Sequence, residues 1–411
     1  MNASFQGIAS HPAKLQPVLT QVTERLAREL DQPTPTVPDW SEFEWKIAKA
    51  VAAMHGISPL LSRCLRWRGP EGWVHFLEEQ RTHVLQRHAR IEKLLLRIDR
   101  SAREAGVGIM TLKGVALHTL GLYTGGERPM ADVDLLVQPQ DAARTVRLIE
   151  SLRYKEHRTN WKERAFSPLE RHSAGPLGEH SNNDISIELH ERICERLPLH
   201  LTDITRIVSP RSPESGVNGY PSRAALMIHL LLRVAGEMTM QSVRLVQLHD
   251  LALVGRRMTA ADWDELLEWR SSGRGLWWAL PPLKLTLRYY TLSVPARALR
   301  ALESDCPWVL RRNVLRLTLS DVSFSHLCID AFPGIEWTRS IREMLSYAAS
   351  RIRPSAEHLA ERAADAVCHD WAADNQWAAL SQARRIARWL VSRQARPATM
   401  HVLRAALAGA P

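Results

Sequence analysis

Two aspartates separated by a single valine constrain this chain more strongly than any other feature of its sequence. Asp132 and Asp134 lie in the segment DVDLLV, whose alternating residues predict a β-strand over 132–137. Side chains two residues apart on a strand leave the same face of a sheet, with backbone positions about 6.6 Å apart. Neighbouring carboxylates repel each other, and a divalent cation relieves that repulsion. Because oxygen ligands suit Mg²⁺ or Mn²⁺, the pair predicts such a metal site.

A second predicted strand carries a third acid. In the segment DISIELH (184–190), Ile187 and Leu189 face one way and Glu188 faces the other, so Glu188 is expected to join the two aspartates. Three acidic side chains on one sheet can hold two metal ions. His190 lies on the same face as Glu188. The sequence leaves open whether His190 hydrogen-bonds to a metal ligand or is an ordinary buried histidine.

A candidate phosphate-binding turn precedes the aspartates. The segment VGIMTL (107–112) predicts a strand that runs through Lys113 and Gly114 into a short helix. Free backbone N–H groups at such a turn bind phosphate, Gly114 permits close approach, and Lys113 supplies positive charge. Arg128, in the Gly-rich loop that follows, is expected either to contact the triphosphate or to form an ion pair that orients one of the two aspartates.

The apolar periodicity predicts an α+β fold in three parts. The predicted parts are an N-terminal helical region (1–90), a small mixed-sheet core (91–195) and a larger C-terminal helical domain (196–411). A Pro-rich connector separates the first two predicted helices, and either Asp39 or Ser41 can cap the second. From Leu199 onward the sequence predicts helices, with a break at 209–222 and further breaks near prolines.

The composition indicates a globular protein, which we expect in the cytoplasm. The 411 residues are 45% hydrophobic and 24% charged, which excludes disordered and collagen-like classes. No apolar run reaches the ~20 residues of a membrane span, the first residues lack the pattern of a secretory signal, and the five cysteines are scattered. The net charge of +10 would suit nucleic acid, but the basic residues form no block. Nucleic acid is therefore an alternative partner rather than the favoured one.

The block 112–137 resembles a known enzyme family. Its sequence has the pattern L-K-G-x-x-L…L-Y…G-x-R-P-M-x-D-V-D-L-L-V. This pattern is similar to that of the uncharacterised bacterial nucleotidyltransferases with an LKG signature, within the DNA polymerase β-like nucleotidyltransferase superfamily. In that family Lys-Gly replaces the usual Gly-Ser turn. The resemblance covers most of residues 40–260. It includes IELHERI (187–193) as the strand with the third acid and a later helix (243–254), where Asp250 is expected to form a structural ion pair.

This resemblance implies transfer of a nucleoside monophosphate from an NTP to a hydroxyl-type acceptor, with release of pyrophosphate. ATP is the expected nucleotide, and the acceptor could be a small molecule, a peptide or a protein. Carried over by position, Asp132, Asp134 and Glu188 would be the catalytic metal ligands, and Lys113 with Gly114 would bind the triphosphate. The superfamily more often has Asp as its third acid, which leaves open whether Glu188 is a general base or only a ligand.

Two alternatives stay open at the level of the sequence. The chain could be a catalytically idle scaffold of the same fold that binds a nucleotide or a partner protein, or it could act on RNA or bind it. Nucleotide turnover separates an enzyme from a scaffold, and a steep loss of RNA affinity with salt would indicate the second alternative.

Overall fold

A mixed six-stranded sheet flanked by helices from both ends of the chain confirms the predicted α+β fold. The structure is a computed structural model, and it describes residues 12–170, 172, 177–270, 275–355, 359, 380–391 and 394–409. The helices that precede the sheet are α1 (Pro12–Glu29), α2 (Glu42–Met54), α3 (Ser58–Cys64) and α4 (Glu71–Glu104).

The strands of the main sheet come from widely separated segments. They are β1 (Gly108–Thr111), β2 (Asp132–Val137), β3 (Tyr154–Thr159), β4 (Arg164–Pro168), β5 (Ser186–His190) and β8 (Gly216–Asn218), arranged in the order β3-β4-β5-β2-β1-β8. Strand β2 runs parallel to β5 and antiparallel to β1, which makes the sheet mixed. Two helices, α5 (Lys113–Thr119) and α6 (Ala142–Ser151), and a 3-10 turn (Pro139–Asp141) connect the strands. A separate two-stranded sheet consists of β6 (Cys194–Leu197) and β7 (His200–Asp203).

The rest of the described chain is helical apart from its connecting loops. Its helices are α7 (Thr205–Val208), α8 (Arg223–Met240), α9 (Leu245–Arg257), α10 (Ala260–Trp269), α11 (Leu280–Tyr289), α12 (Ala296–Asp305), α13 (Trp308–Val314), α14 (Leu319–Val322), α15 (Ile341–Ile352), α16 (Gln382–Val391) and α17 (Pro397–Ala408), with a 3-10 turn at Ile335–Trp337. Helix α17 packs against α2, and one buried apolar core extends from Leu15 to Ala406. The N-terminal and C-terminal helices therefore share a core.

Strand β2 lies between two apolar cores, and this fixes the direction of its side chains. Val133, Leu135 and Val137 belong to the smaller core with α4 and α6, whereas Leu136 belongs to the large helical core. Since side chains alternate along a strand, Asp134 lies on the face of Leu136. The predicted site therefore faces the helices of the large core, and the segment DVDLLV is a strand over the predicted residues.

Some sequence-based expectations differ from the structure. The chain is not helical throughout from Leu199 onward, because His200–Asp203 pairs with Cys194–Leu197 as a tight antiparallel hairpin. Strand β8 extends the main sheet beyond residue 195, where the core was expected to end. The helix after the connector is capped by Ser41, one of the two candidates, which forms a capping box with Glu44.

Two further expectations can be compared with the described residues. Cys64, Cys194 and Cys306 are free thiols, while Cys368 lies outside the described residues. In the part of the chain that the structure describes, every helix is too short or too polar to cross a lipid bilayer.

Candidate active site

Asp134 and Glu188 stand side by side on neighbouring parallel strands. The register of β2 and β5 places Asp134 opposite Glu188 and Leu136 opposite His190. Ligand atoms of Asp134, Glu188 and His190, one from each side chain, all lie within 4.8 Å of one another. The structure thus brings together two of the three predicted acids and the histidine that follows the second.

Two side chains hold the carboxylate of Asp134. Lys113 Nζ lies 2.6 Å from Asp134 Oδ1, and His190 Nε2 lies 3.1 Å from the same oxygen. Asp134 is 5% exposed and His190 is 1% exposed, so both contacts are shielded from water. The Nδ1 atom of His190 has no hydrogen-bond partner among the described residues. Through Nε2, His190 hydrogen-bonds to Asp134, a predicted metal ligand. This is the first of the two roles that the sequence left open for His190.

Burial and neighbouring charges give the acids different ionisation states. Burial opposes ionisation of Asp134, but the ammonium of Lys113 and the hydrogen bond from His190 hold its pKa well below the usual range. Burial, and then the charges of Asp134 and Asp132, raise the pKa of Glu188 to about 9. Asp134 therefore favours its ionised form and Glu188 its protonated form. A bound divalent cation would favour the ionised form of both.

Asp132 lies on the same face, at the start of β2. It is two residues before Asp134, and its register partner is Ser186 rather than an acid. Burial and the charge of Asp134 raise its pKa, which shows that the two carboxylates interact. Asp132 is not one of the three residues grouped within 4.8 Å. Its role as a metal ligand stays a prediction, supported by the face that it shares with Asp134.

Lys113 has an unusual backbone conformation at the predicted turn. Its φ of 47° lies in the left-handed region, which costs a residue other than glycine about 1–2 kcal/mol. The N–H of Lys113 donates to Tyr220 Oη at 3.2 Å, and that hydroxyl lies 2.7 Å from His229 Nδ1. The turn is therefore tied to the C-terminal helices, and its ammonium contacts Asp134 on the same side of the sheet as the acids. Strained residues of this kind cluster at functional sites.

Arg128 forms the expected ion pair with a different aspartate. Its Nε and Nη2 donate to Asp250 Oδ1 and Oδ2 at 2.8 and 2.7 Å, and Tyr123 Oη donates to Oδ1 at 2.6 Å. The partner is therefore Asp250 on α9, rather than one of the two aspartates of β2. A Cβ on Gly114 would lie 2.4 Å from Arg128 Nη1, so the guanidinium occupies space that only glycine leaves open at this turn. A triphosphate contact by Lys113, Gly114 or Arg128 stays a prediction.

A hairpin that the sequence analysis missed brings further charges towards the acids. Asn160 Oδ1 accepts hydrogen bonds from the N–H groups of Lys162 and Glu163, which fixes the turn between β3 and β4. Arg158 Nη2 lies 2.8 Å from a carboxylate oxygen of Glu163 and 3.8 Å from one of Glu188. The available signal in the sequence was Asn160, a residue typical of turns, directly after the segment YKEHRT.

The donor set fits a hard divalent cation. Asp134 and Glu188 offer carboxylate oxygens, which are the ligands that Mg²⁺ and Mn²⁺ prefer. The Nε2 of His190 is directed at Asp134 Oδ1, an arrangement by which an imidazole orients a ligating carboxylate. Asp134, Glu188 and His190 therefore form the group that could hold a metal, and His190 also fixes the carboxylate of Asp134.

The comparison with known families agrees with this geometry. Residues 41–273, more than half of the chain, match the family described as "Uncharacterised nucleotidyltransferase". The matched segment contains the whole six-stranded sheet and every site residue described above. No curated protein and no solved structure matches the chain. By the extent of the family match, this chain belongs to the uncharacterised nucleotidyltransferase family.

Proposed function

We propose that the protein transfers a nucleoside monophosphate from an NTP to an acceptor hydroxyl in a reaction that depends on Mg²⁺ or Mn²⁺ and releases pyrophosphate. ATP is the proposed nucleotide. The observation that carries the proposal is the convergence of Asp134, Glu188 and His190 within 4.8 Å, next to the ammonium of Lys113. The order of Lys-Gly turn, paired aspartates and later acid supports a DNA polymerase β-like core, proposed over residues 91–195.

The acids are proposed to provide the metal site. Asp132, Asp134 and Glu188 would hold the metal, which when bound neutralises charge on the transferring phosphate and on the leaving group. Lys113 and His190 keep Asp134 ionised and in one orientation. Glu188 stands opposite Asp134 and is the proposed acceptor of the proton from the attacking hydroxyl.

The turn before the acids is proposed to border the triphosphate. Gly114 keeps the turn narrow, and the guanidinium of Arg128 lies beside it, held by Asp250. A positively charged group fixed in place before the reaction lowers the barrier without reorganising. The helices of the large core face the same side of the sheet as Asp134, and we propose that they form the acceptor side of the cleft.

A labelling experiment tests this function. The full chain is incubated with Mg²⁺, each NTP labelled at its α-phosphate, and a cell extract, and both the labelled product and released pyrophosphate are measured. The wild type should transfer label, and Asp134→Asn should lower the rate about a hundredfold or more. Asp264→Asn is the matched control, because Asp264 is 46% exposed and pairs with Arg297, which joins helices α10 and α12.

The same variants separate the alternatives. Unchanged transfer by Asp134→Asn would contradict the proposed role of the site. Nucleotide binding without release of pyrophosphate, whatever the extract, would indicate an idle scaffold. Label recovered in RNA would identify RNA as the acceptor.

A further inference from the structure

A second group of charged side chains lies next to the acids. A small cavity beside the site is lined by five basic residues, by one acid, Glu195, and by three residues that carry no charge. The basic lining residues are Lys113, Lys162, Arg192, His190 and His229. Two of the lining residues, Lys113 and His190, contact the carboxylate of Asp134, which places the cavity next to the acids.

Two cations share one carboxylate at this place. Lys162 Nζ, from the β3–β4 hairpin, contacts Glu195 Oε1 on β6. Arg233 on α8 approaches the same oxygen with Nη1, but at 3.5 Å, which is longer than an ordinary charged hydrogen bond. The other end of that guanidinium, Nη2, lies 2.6 Å from Glu237. One oxygen of Glu195 is thus shared by two positive groups. Because its contact with this oxygen is long, Nη1 of Arg233 can donate a shorter hydrogen bond to another acceptor.

Lys162 and Arg233 approach the same oxygen of Glu195, so an anion bound at that place would contact both cations. Burial, and then the charge of Arg233, lower the pKa of Lys162. The side chain of Lys162 is 15% exposed and that of Arg233 is 31% exposed, so a ligand can reach both from solvent. By contrast, Arg128 is 12% exposed and donates through two nitrogens to a fully buried aspartate.

We propose that Lys162 and Arg233 bind the two phosphates that leave as pyrophosphate. The proposal rests on the proposed nucleotidyl transfer and specifies which residues stabilise its leaving group. In that reaction the acceptor oxygen forms a bond to the α-phosphorus and gives up its proton to Glu188. The bond from the α-phosphorus to the oxygen bridging the β-phosphate breaks, and its electron pair stays on that oxygen. Negative charge therefore grows on the leaving pyrophosphate, where two fixed cations would stabilise it.

Pyrophosphate itself is the probe for this site. Its binding to the full chain is measured by calorimetry, with and without Mg²⁺, in the absence of NTP and acceptor. Lys162→Gln and Arg233→Gln should each weaken binding about tenfold or more, because each removes a charged hydrogen bond. Arg223→Gln is the matched control, since Arg223 begins the same helix as Arg233 and pairs with Asp262 at the surface. It should bind as the wild type does.

Binding of Mn²⁺ alone, followed by electron paramagnetic resonance, shows whether the variants damage the acids instead. Lys162→Gln and Arg233→Gln should keep the Mn²⁺ affinity of the wild type within about twofold, whereas Asp134→Asn should lose it. A wild type that does not bind pyrophosphate, or variants that bind it equally well, would overturn the proposal.

A paired variant covers the case in which single changes prevent folding. Lys162→Met with Glu195→Met removes both members of the ion pair and leaves Arg233 with Glu237. This variant should fold and still bind pyrophosphate about tenfold more weakly, while Lys162→Arg should retain binding. Undiminished binding by the folded paired variant would overturn the role of Lys162.

The two proposals can fail separately. If pyrophosphate binding depends on Lys162 and Arg233 but no acceptor is ever labelled, the anion site stands and the transfer reaction fails. If transfer depends on Asp134 while Lys162→Gln and Arg233→Gln keep the KM for NTP and the affinity for pyrophosphate, the transfer reaction stands and the anion site fails.

Discussion

Lys113 and Asp134 form a buried ion pair, with 2.6 Å between Nζ and Oδ1, across the boundary between the Lys-Gly turn and strand β2. The ion pair connects the Lys-Gly turn with the D-x-D strand, the two motifs on which the resemblance to nucleotidyltransferases rests. Burial lowers and Asp134 raises the pKa of Lys113, and the attraction outweighs the burial. Lys113 therefore stays charged, and it pairs with the carboxylate of Asp134.

Replacing Lys113 by alanine should lower the free energy of unfolding by about 3–5 kcal/mol, because it leaves a buried carboxylate without its ammonium partner. Lys113→Gly removes the same charge but accepts a φ of 47° without strain, so it should be about 1 kcal/mol more stable than Lys113→Ala. Urea unfolding measures both. Lys93→Ala, at an exposed position of α4, should change stability by less than about 0.5 kcal/mol. Equal stability of the alanine and glycine variants would show that the backbone conformation carries no cost.

The pair formed by Arg128 and Asp250 should show strong coupling in a double-mutant cycle. Arg128→Met and Asp250→Leu should each cost about 3–5 kcal/mol, because each leaves the other charge buried. The double variant should be more stable than the sum of the single effects predicts, by at least about 1 kcal/mol. Denaturant unfolding at neutral pH measures all four proteins. Additive effects would mean that the two side chains do not depend on each other.

The sequence predicted the strand of Asp132 and Asp134 and the face of Glu188, because apolar Val133 and Leu135 alternate with the acids and pack into a core. It did not predict the register of β2 and β5, which pairs segments far apart in the chain. The sequence also did not predict the left-handed backbone conformation of Lys113, because a lysine side chain does not favour a positive φ.

The β3–β4 hairpin was missed for a different physical reason. One face of strand β3 (YKEHRT) is half-buried and the other is exposed. The segment therefore lacks the alternating apolar residues that predict a strand. Lys162 and Arg158 reach the site from this hairpin. The pattern of apolar residues in a sequence predicts which side chains are buried. It does not predict which charged side chains pair with each other, because the partners are far apart in the sequence.

His55 should make the protein less stable in acid. Its Nδ1 accepts the N–H of Leu245 at 3.1 Å, so Nε2 carries the proton and donates to Ser325 Oγ at 3.0 Å. Burial, and then the charge of Arg244, lower the pKa of His55 from 6.5 to about 3. The unfolded chain therefore binds a proton at a higher pH than the folded chain does. The contribution of His55 is complete above about pH 6.5 and falls by about 1.4 kcal/mol per pH unit below it, until about pH 3.

Urea unfolding between about pH 7.5 and pH 5 measures this loss. His55→Asn keeps an acceptor for Leu245 and should be less stable than the wild type at the upper end, with a shallower loss of stability towards acid. His75→Asn, at a position that is 70% exposed, should keep the slope of the wild type. A wild-type slope in His55→Asn would contradict a neutral buried imidazole at this position.

Gly114→Ala should destabilise the protein because the new side chain collides with Arg128, and not because alanine disfavours the helix that contains residue 114. Alanine is the better helix former by about 1 kcal/mol, so propensity alone predicts a gain. The new Cβ, however, would lie 2.4 Å from Arg128 Nη1 and 3.0 Å from Met130 Sδ, and Arg128 cannot move without breaking its two bonds to Asp250. In the Arg128→Met background the first of these conflicts is absent, and the same alanine should cost at least about 1 kcal/mol less. Unfolding of the four proteins gives the coupling directly, and an equal cost in both backgrounds would show that the glycine is required by something other than the guanidinium beside it.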